Sequence, residues 1–143
     1  MSFGIETSTM ILASATLFGA VVGSILPRYL NRRSERKHLR RGLKKEIKLN
    51  TGHNWGIDFI RETQPENLGP TAVFEANADK IGQLTEGEVN AIVEFYGYLH
   101  NSETLLTDAV GSSAPPTKET LEVTLEDLGE ARQEAIDAIE KEL

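Results

Sequence analysis

The spacing of apolar residues divides the chain into one long uncharged stretch followed by several amphipathic ones. Residues 7–27 are 21 consecutive positions without a charged side chain. As an α-helix they would extend ~31 Å, about the thickness of the hydrocarbon core of a bilayer. The stretch therefore predicts one transmembrane helix near the N-terminus.

Apolar residues then recur at helical spacing up to about residue 61. Leu39, Leu43 and Ile47 are four positions apart, which places them on one face of a helix. Gly52 weakens the pattern, and we expect a break near residues 51–52. Residues 63–70 contain two prolines, an asparagine and a glycine and predict a loop.

Two further helices are predicted before the next linker. Residues 71–84 predict a short helix, and Thr85 with Glu88 has the spacing of a capping box that opens a helix ending near Ala109. The apolar face predicted for this second helix, with Phe95 at its edge, consists of Val89, Ile92, Val93, Tyr96, Leu99 and Leu106.

The last segment follows a linker at residues 111–117 that contains Gly111 and two prolines. Residues 118–143 predict an amphipathic helix in which Arg132 interrupts a row formed by Leu121, Leu125, Leu128, Ala135 and Ile139. No stretch alternates as a strand does. The predicted class is all-α, with an N-terminal transmembrane helix, a basic juxtamembrane helix and a small acidic helical bundle.

The distribution of charge predicts an orientation for this arrangement. The net charge is −7, yet residues 28–48 carry ten Lys or Arg against two Glu, and residues 49–143 carry five bases against nineteen acids. Because basic residues collect on the cytoplasmic side of a span, we expect a single-pass protein of the cell membrane with its N-terminus outside and its C-terminal domain in the cytoplasm. The predicted divisions are 1–27 (N-terminal segment and span), 28–50 (basic juxtamembrane helix) and 51–143 (acidic helical domain).

Two other interpretations of residues 7–27 stay open. A cleaved signal peptide carries positive charge before its apolar stretch, whereas Met1–Glu6 contain no Lys or Arg, which favours an uncleaved anchor. A buried core helix is the other interpretation, because Ser14, Thr16 and Ser24 make the stretch only moderately apolar.

Small residues within the predicted span favour self-association. Ala15, Gly19 and Gly23 are four apart and share one helix face, where small side chains let two backbones approach closely. We therefore expect a homo-oligomer. The alternative is that these small residues have no role in association, because Gly and Ala are common in spans.

The basic segment is the feature that points most directly to a binding partner. Its cations predict contact with anionic lipid head groups or another polyanion, although setting the topology would explain part of the run. Nucleic acid is a less favoured partner, because no aromatic residue lies between Leu30 and His53 to stack on bases. The predicted contact residues are Arg28, Arg32, Arg33, Arg36, Lys37, Arg40, Arg41, Lys44, Lys45 and Lys48.

No residue pattern in the chain predicts catalysis, a metal site or a cofactor. There is no cysteine, and His38, His53 and His100 lack the short spacing of metal ligands. Glu75 and Glu94 lie near predicted inward faces. We expect each to be a hydrogen-bonded or helix-edge carboxylate and not a general acid. Trp55 and Tyr96 could form a ligand pocket. Packing in the core is the favoured interpretation, because aromatic side chains usually supply core area.

Leu43, Glu46, Ile47 and Asn50, with the apolar residues of 73–99, form a recurrent pattern. In this pattern the chain resembles a loose group of uncharacterised single-span proteins of bacteria, archaea and their viruses. The resemblance covers roughly residues 40–105. It implies a basic helix that precedes a small helical domain, and it implies no activity.

These observations together predict a membrane-anchored, non-enzymatic interaction or scaffold protein that self-associates and presents a cytoplasmic domain to an unknown protein partner. The alternative is a structural membrane protein of a virion, whose basic segment faces the genome or capsid. A small pore-forming effector is a third hypothesis, for which the span offers only a thin polar face.

Overall fold

The computed structural model describes residues 28–51, 54, 68–111 and 116–143. The chain forms two compact units, Met1–Lys37 and His38–Leu143. Within the described ranges the regular structure is helical without any β-strand, which confirms the all-α class there.

The described residues form five helices, three of them long. Helix α1 covers residues 28–49; the others are α2 (Ala72–Ala76), α3 (Ala78–Ile81), α4 (Glu86–Gly111) and α5 (Lys118–Lys141). Helices α4 and α5 pack along each other. Only six residues join them, so they are antiparallel neighbours.

One apolar face from each long helix builds the core of His38–Leu143. Burial of such side chains removes apolar surface from water and is the main stabilising contribution. The segment 38–49, part of the predicted juxtamembrane helix, thus contributes to the same core as the acidic helices. Long-helix core residues are Leu39, Leu43, Ile47, Ile92, Phe95, Tyr96, Leu99, Leu121, Leu125, Leu128, Ala131, Ala135, Ile136 and Ile139.

The apolar face of α5 is confirmed, whereas that of α4 differs from the prediction at two positions. Val93 was predicted inward but is 52% exposed, and Phe95 was predicted at the edge but is fully buried. The reason is geometric: Phe95 lies three residues after Ile92 and four before Leu99, in the centre of the buried stripe. Val93 lies about 100° from Ile92 around the helix.

The short helix predicted over residues 71–84 is split into α2 and α3 at Asn77. The side-chain amide of Asn77 donates to the carbonyl of Val73 at 2.8 Å, and its backbone N–H donates to the carbonyl of Phe74. Asparagine competes in this way with helical hydrogen bonding, which explains the interruption. Ile81 and Leu84 are buried.

Helix α1 ends where the sequence predicts a break, and α5 supplies its C-terminal cap. The Arg132 guanidinium donates from Nε to the carbonyl of Ile47 at 3.0 Å and from Nη2 to that of Lys48 at 2.9 Å. These carbonyls belong to the last turn of α1, where the regular helical hydrogen bonds end. The carbonyl of Ile47 also accepts from the backbone N–H of Asn50 at 3.2 Å. The Arg that interrupts the apolar row of α5 therefore joins the interior of α5 to the C-terminal end of α1.

Asn50 and Gly69 fix the chain just beyond α1. The amide of Asn50 donates to the carbonyl of Pro70 at 3.0 Å, and a Cβ on Gly69 would lie 1.6 Å from Asn50 Oδ1. No side chain fits in that space, so the close approach requires glycine.

Candidate functional site

Helix α1 has an inward and an outward face within the compact unit. Leu43, Ile47 and the polar residues Glu46 and Asn50 are buried; these four residues carry the resemblance described above. The basic residues 41, 44, 45 and 48 follow the i, i+3, i+4, i+7 spacing of one helix face. The amphipathic pattern therefore directs a cluster of cations away from the core.

One predicted contact residue, Arg40, forms a partly buried ion pair instead of facing solvent. Its guanidinium donates to both carboxylate oxygens of Glu88, at 2.6 and 2.9 Å. Glu88 is 1% exposed and also accepts from the Thr85 backbone N–H at 2.9 Å, as the predicted capping box requires. Burial opposes ionisation of Glu88, but the bonds from Arg40 and Thr85 outweigh it and hold the pKa of Glu88 below its usual value.

Two lysines of the basic face share one acidic partner. Lys44 and Lys48 place their ammonium groups 2.9 and 3.0 Å from Oε1 of Glu140 at the end of α5. Hydrogen bonds from Lys44 and Lys48 lower the pKa of Glu140. The two side chains thus converge on a single anionic oxygen.

A groove of about 410 Å³ runs beside these lysines. Its lining combines four cations with two exposed leucines, Leu49 (59% exposed) and Leu143 (42% exposed). Arg41 and Lys45, two of these cations, are exposed. The groove is lined by Arg41, Lys44, Lys45, Lys48, Leu49 and Leu143.

The first described turns of α1 belong to the other unit and are open to solvent. Arg28, Arg32, Arg33 and Lys37 are exposed and Arg36 is partly exposed. Tyr29 and Leu30, which helical spacing alone does not single out, are also exposed, at 58% and 54%. This segment therefore presents both cations and large apolar side chains.

Glu46 is a buried carboxylate that was not among the residues predicted to carry chemistry. It accepts hydrogen bonds from the backbone N–H groups of Val73 (2.5 Å) and Phe74 (3.0 Å) and from the Tyr96 hydroxyl (2.6 Å). Burial, and then the bond to Glu46, raise the pKa of Tyr96. These donors give Glu46 a structural role: it binds the first turn of α2. Glu46 lies three residues after Leu43, on the same helix face, and this spacing is the feature of the sequence that indicates its burial.

The remaining candidates for chemistry are dispersed. Glu75 and Glu94 are exposed, not inward. His38 and His100 are exposed, and His53 lies outside the described residues. Nowhere in the described ranges do three His, Cys, Asp or Glu side chains come together as metal ligands would.

Of the two aromatic residues considered for a ligand pocket, Tyr96 alone lies among the described residues. Tyr96 is buried and stacks on Phe74, with ring centroids 3.9 Å apart. Trp55 lies outside the described residues.

A second groove, of about 500 Å³, is lined by Gly69, Pro70, Thr71, Ala72, Glu75 and Glu103. The Glu103 carboxylate in this groove accepts from the backbone N–H of Leu68 at 2.8 Å.

The predicted span and its association face, Ala15, Gly19 and Gly23, lie outside the described residues. Of the helices in the described ranges, none combines the length and apolarity needed to cross a bilayer. Comparison with models of known protein families, with curated proteins and with solved structures found no match. The resemblance to single-span proteins therefore stays a prediction.

Proposed function

We propose that this chain is a membrane-anchored, non-enzymatic interaction or scaffold protein that self-associates and presents the helical unit His38–Leu143 at the cytoplasmic surface. The anchor is the uncharged segment 7–27. The positive charge that follows it fixes the orientation.

The observation that carries the proposal is the exposure of Tyr29 and Leu30 among Arg28, Arg32 and Arg33. Tyrosine side chains favour the boundary between hydrocarbon and head groups, where the ring is in apolar surroundings and the hydroxyl is hydrated. Arginine side chains near the end of a span extend toward the head groups. This turn, immediately after residue 27, has the composition of an interfacial segment.

The length of the intervening chain also supports the proposal. Residues 28–37 are helical, and ten helical residues extend ~15 Å. A span that ends at Pro27 therefore leaves ten residues of chain before the helical unit begins at His38. Such a short connection suits a protein that presents a binding domain at the membrane surface.

Membrane fractionation tests the anchor. The full-length protein should stay with membranes after washing at alkaline pH and high salt, which removes peripheral proteins, and detergent should release it. Release by the wash alone would contradict an apolar anchor.

Crosslinking of the full-length protein in membranes tests self-association. Gly19→Ile with Gly23→Ile should reduce dimer formation, because the larger side chains prevent close approach. Leu17→Ile with Val21→Ile is the matched control, since by helical spacing these positions lie opposite the small-residue face. An equal yield from both variants would mean that the span is only an anchor.

A further inference from the structure

We infer that the groove between α1 and the end of α5 binds an anionic phospholipid, with its phosphate among Arg41, Lys44, Lys45 and Lys48 and its apolar part against Leu49 and Leu143. The inference deepens the proposed function: it adds a lipid contact on the helical unit itself, separate from the segment that includes Tyr29.

The electrostatic argument starts from the charge of the groove. Four cations line it, and the one acidic side chain paired with them in the described residues is Glu140, which contacts Lys44 and Lys48. The surrounding unit is strongly acidic, since residues 49–143 carry nineteen acids against five bases. A local excess of positive charge on an acidic unit selects an anionic partner at this position.

The geometry suits an anionic oxygen. The contacts with Glu140 show that the ammonium groups of Lys44 and Lys48 reach the same oxygen atom within 3.0 Å. Arg41 and Lys45, at i and i+4 on the same face, are exposed and add to the positive surface of the groove. A phosphodiester beside these groups would receive charge-assisted hydrogen bonds.

The leucines distinguish a lipid from a simple anion. Leu49 and Leu143 are two of the large apolar side chains that the described residues leave exposed, and both line this one groove. A free phosphate has nothing to place against them. The glycerol backbone and first methylenes of a phospholipid would cover them and remove their apolar surface from water.

Lysine footprinting of the full-length protein in neutral-detergent micelles tests the inference. Phosphatidylglycerol or phosphatidylcholine is added at equal mole fractions, and acetylation of each lysine is quantified by mass spectrometry. Phosphatidylglycerol should protect Lys44, Lys45 and Lys48 but not Lys80, which is exposed outside the groove. Equal protection by phosphatidylcholine, or none, would overturn the inference.

Paired variants separate the groove from general charge. Arg41→Gln with Lys45→Gln should raise the lipid fraction at half-protection of Lys48 about twenty-five-fold, at about fivefold for each cation near an anionic surface. The matched control, Lys80→Gln with Lys118→Gln, removes the same charge at exposed positions elsewhere and should change that fraction by less than about threefold. Equal effects of the two pairs would overturn the inference.

Two further arms identify the ligand. Leu49→Ser with Leu143→Ser should weaken protection at high salt, whereas Val93→Ser with Val123→Ser, which alters exposed valines on α4 and α5, should not. Inorganic phosphate that protects as well as the lipid, or a DNA duplex of about 20 base pairs that protects at lower concentration, would overturn the assignment to lipid. These arms report on the groove even if the wash experiment releases the protein from membranes.

Discussion

Two buried carboxylates and one partly buried arginine connect helices in the described part of this protein. Glu46 binds the start of α2, Glu88 binds Arg40 of α1, and Arg132 binds the end of α1. A buried charge without partners would be costly, so each of these side chains depends on an element distant in sequence. Helical periodicity places such residues on a face but does not identify the distant partner, which is why these connections could not be predicted from the sequence.

At Glu46, the three donors predict a sensitive substitution. Glu46→Gln introduces an N–H₂ group where three donors already point and should lower the free energy of unfolding by about 1–3 kcal/mol. Glu94→Gln, on an exposed position of α4, is the control and should change it by less than about 0.5 kcal/mol. Urea denaturation followed by circular dichroism measures both. Equal stability of the two variants would contradict the structural role of Glu46.

Two glycines give opposite predictions for the same substitution. Gly69→Ala should destabilise by about 1–3 kcal/mol, because the new methyl group would lie 1.6 Å from Asn50 Oδ1. Gly87→Ala should stabilise by about 0.4–1 kcal/mol, because Gly87 is helical and no atom lies within 4 Å of the place that the new methyl group would occupy. Thermal unfolding of the two variants should shift in opposite directions. A neutral Gly69→Ala would contradict the close approach at Asn50.

At the scale of elements, periodicity predicts helices well and their packing partners poorly. The face of α5, the end of α1 and the capping box of α4 follow from residue spacing. The exposure of Val93 and the split at Asn77 do not, because they depend on the centre of the buried stripe and on competing side-chain hydrogen bonds. Likewise, the charge of Arg40 suggests a surface contact, and only the position of Glu88 reveals the ion pair.

The Arg40–Glu88 pair predicts a dependence of stability on pH. The pKa of Glu88 lies below its usual value of 4.5 in the folded protein, so its stabilising contribution is present above about pH 4.5 and is lost as the pH falls through the folded pKa. Glu88→Gln should remove that part of the acid dependence. Urea unfolding at a series of pH values measures it, and a constant difference in stability between wild type and variant from about pH 7 to about pH 3 would contradict it.

Substitution of the arginine in the pair gives a second prediction, for which an exposed arginine is the control. Arg40→Met leaves a buried carboxylate without its partner and should cost about 3–5 kcal/mol at neutral pH. Arg41→Met, one residue later and exposed, should cost less than about 0.5 kcal/mol. Urea unfolding measures both, and similar losses from the two variants would contradict the special role of Arg40.

At the scale of the whole molecule, the structure predicts that a stable helical unit begins at His38. A fragment of His38–Leu143 should unfold cooperatively as a helical protein. A fragment of Leu43–Leu143 lacks buried Leu39 and the partner of Glu88, and should be at least about 2 kcal/mol less stable. Extending the fragment to Arg33 should add little, since residues 33–37 are mostly exposed. Equal stability of the two shorter fragments would contradict the packing of α1 in the core.

The central claim, an anchored chain with its helical unit in the cytoplasm, is tested most directly by thiol labelling in intact cells. The chain contains no cysteine, so one introduced thiol reports a single position. Ser2→Cys should react with a membrane-impermeant maleimide added outside, whereas Glu126→Cys, on an exposed position of α5, should react only after the membrane is opened. Labelling of Glu126→Cys in intact cells, with Ser2→Cys protected, would contradict the proposed topology.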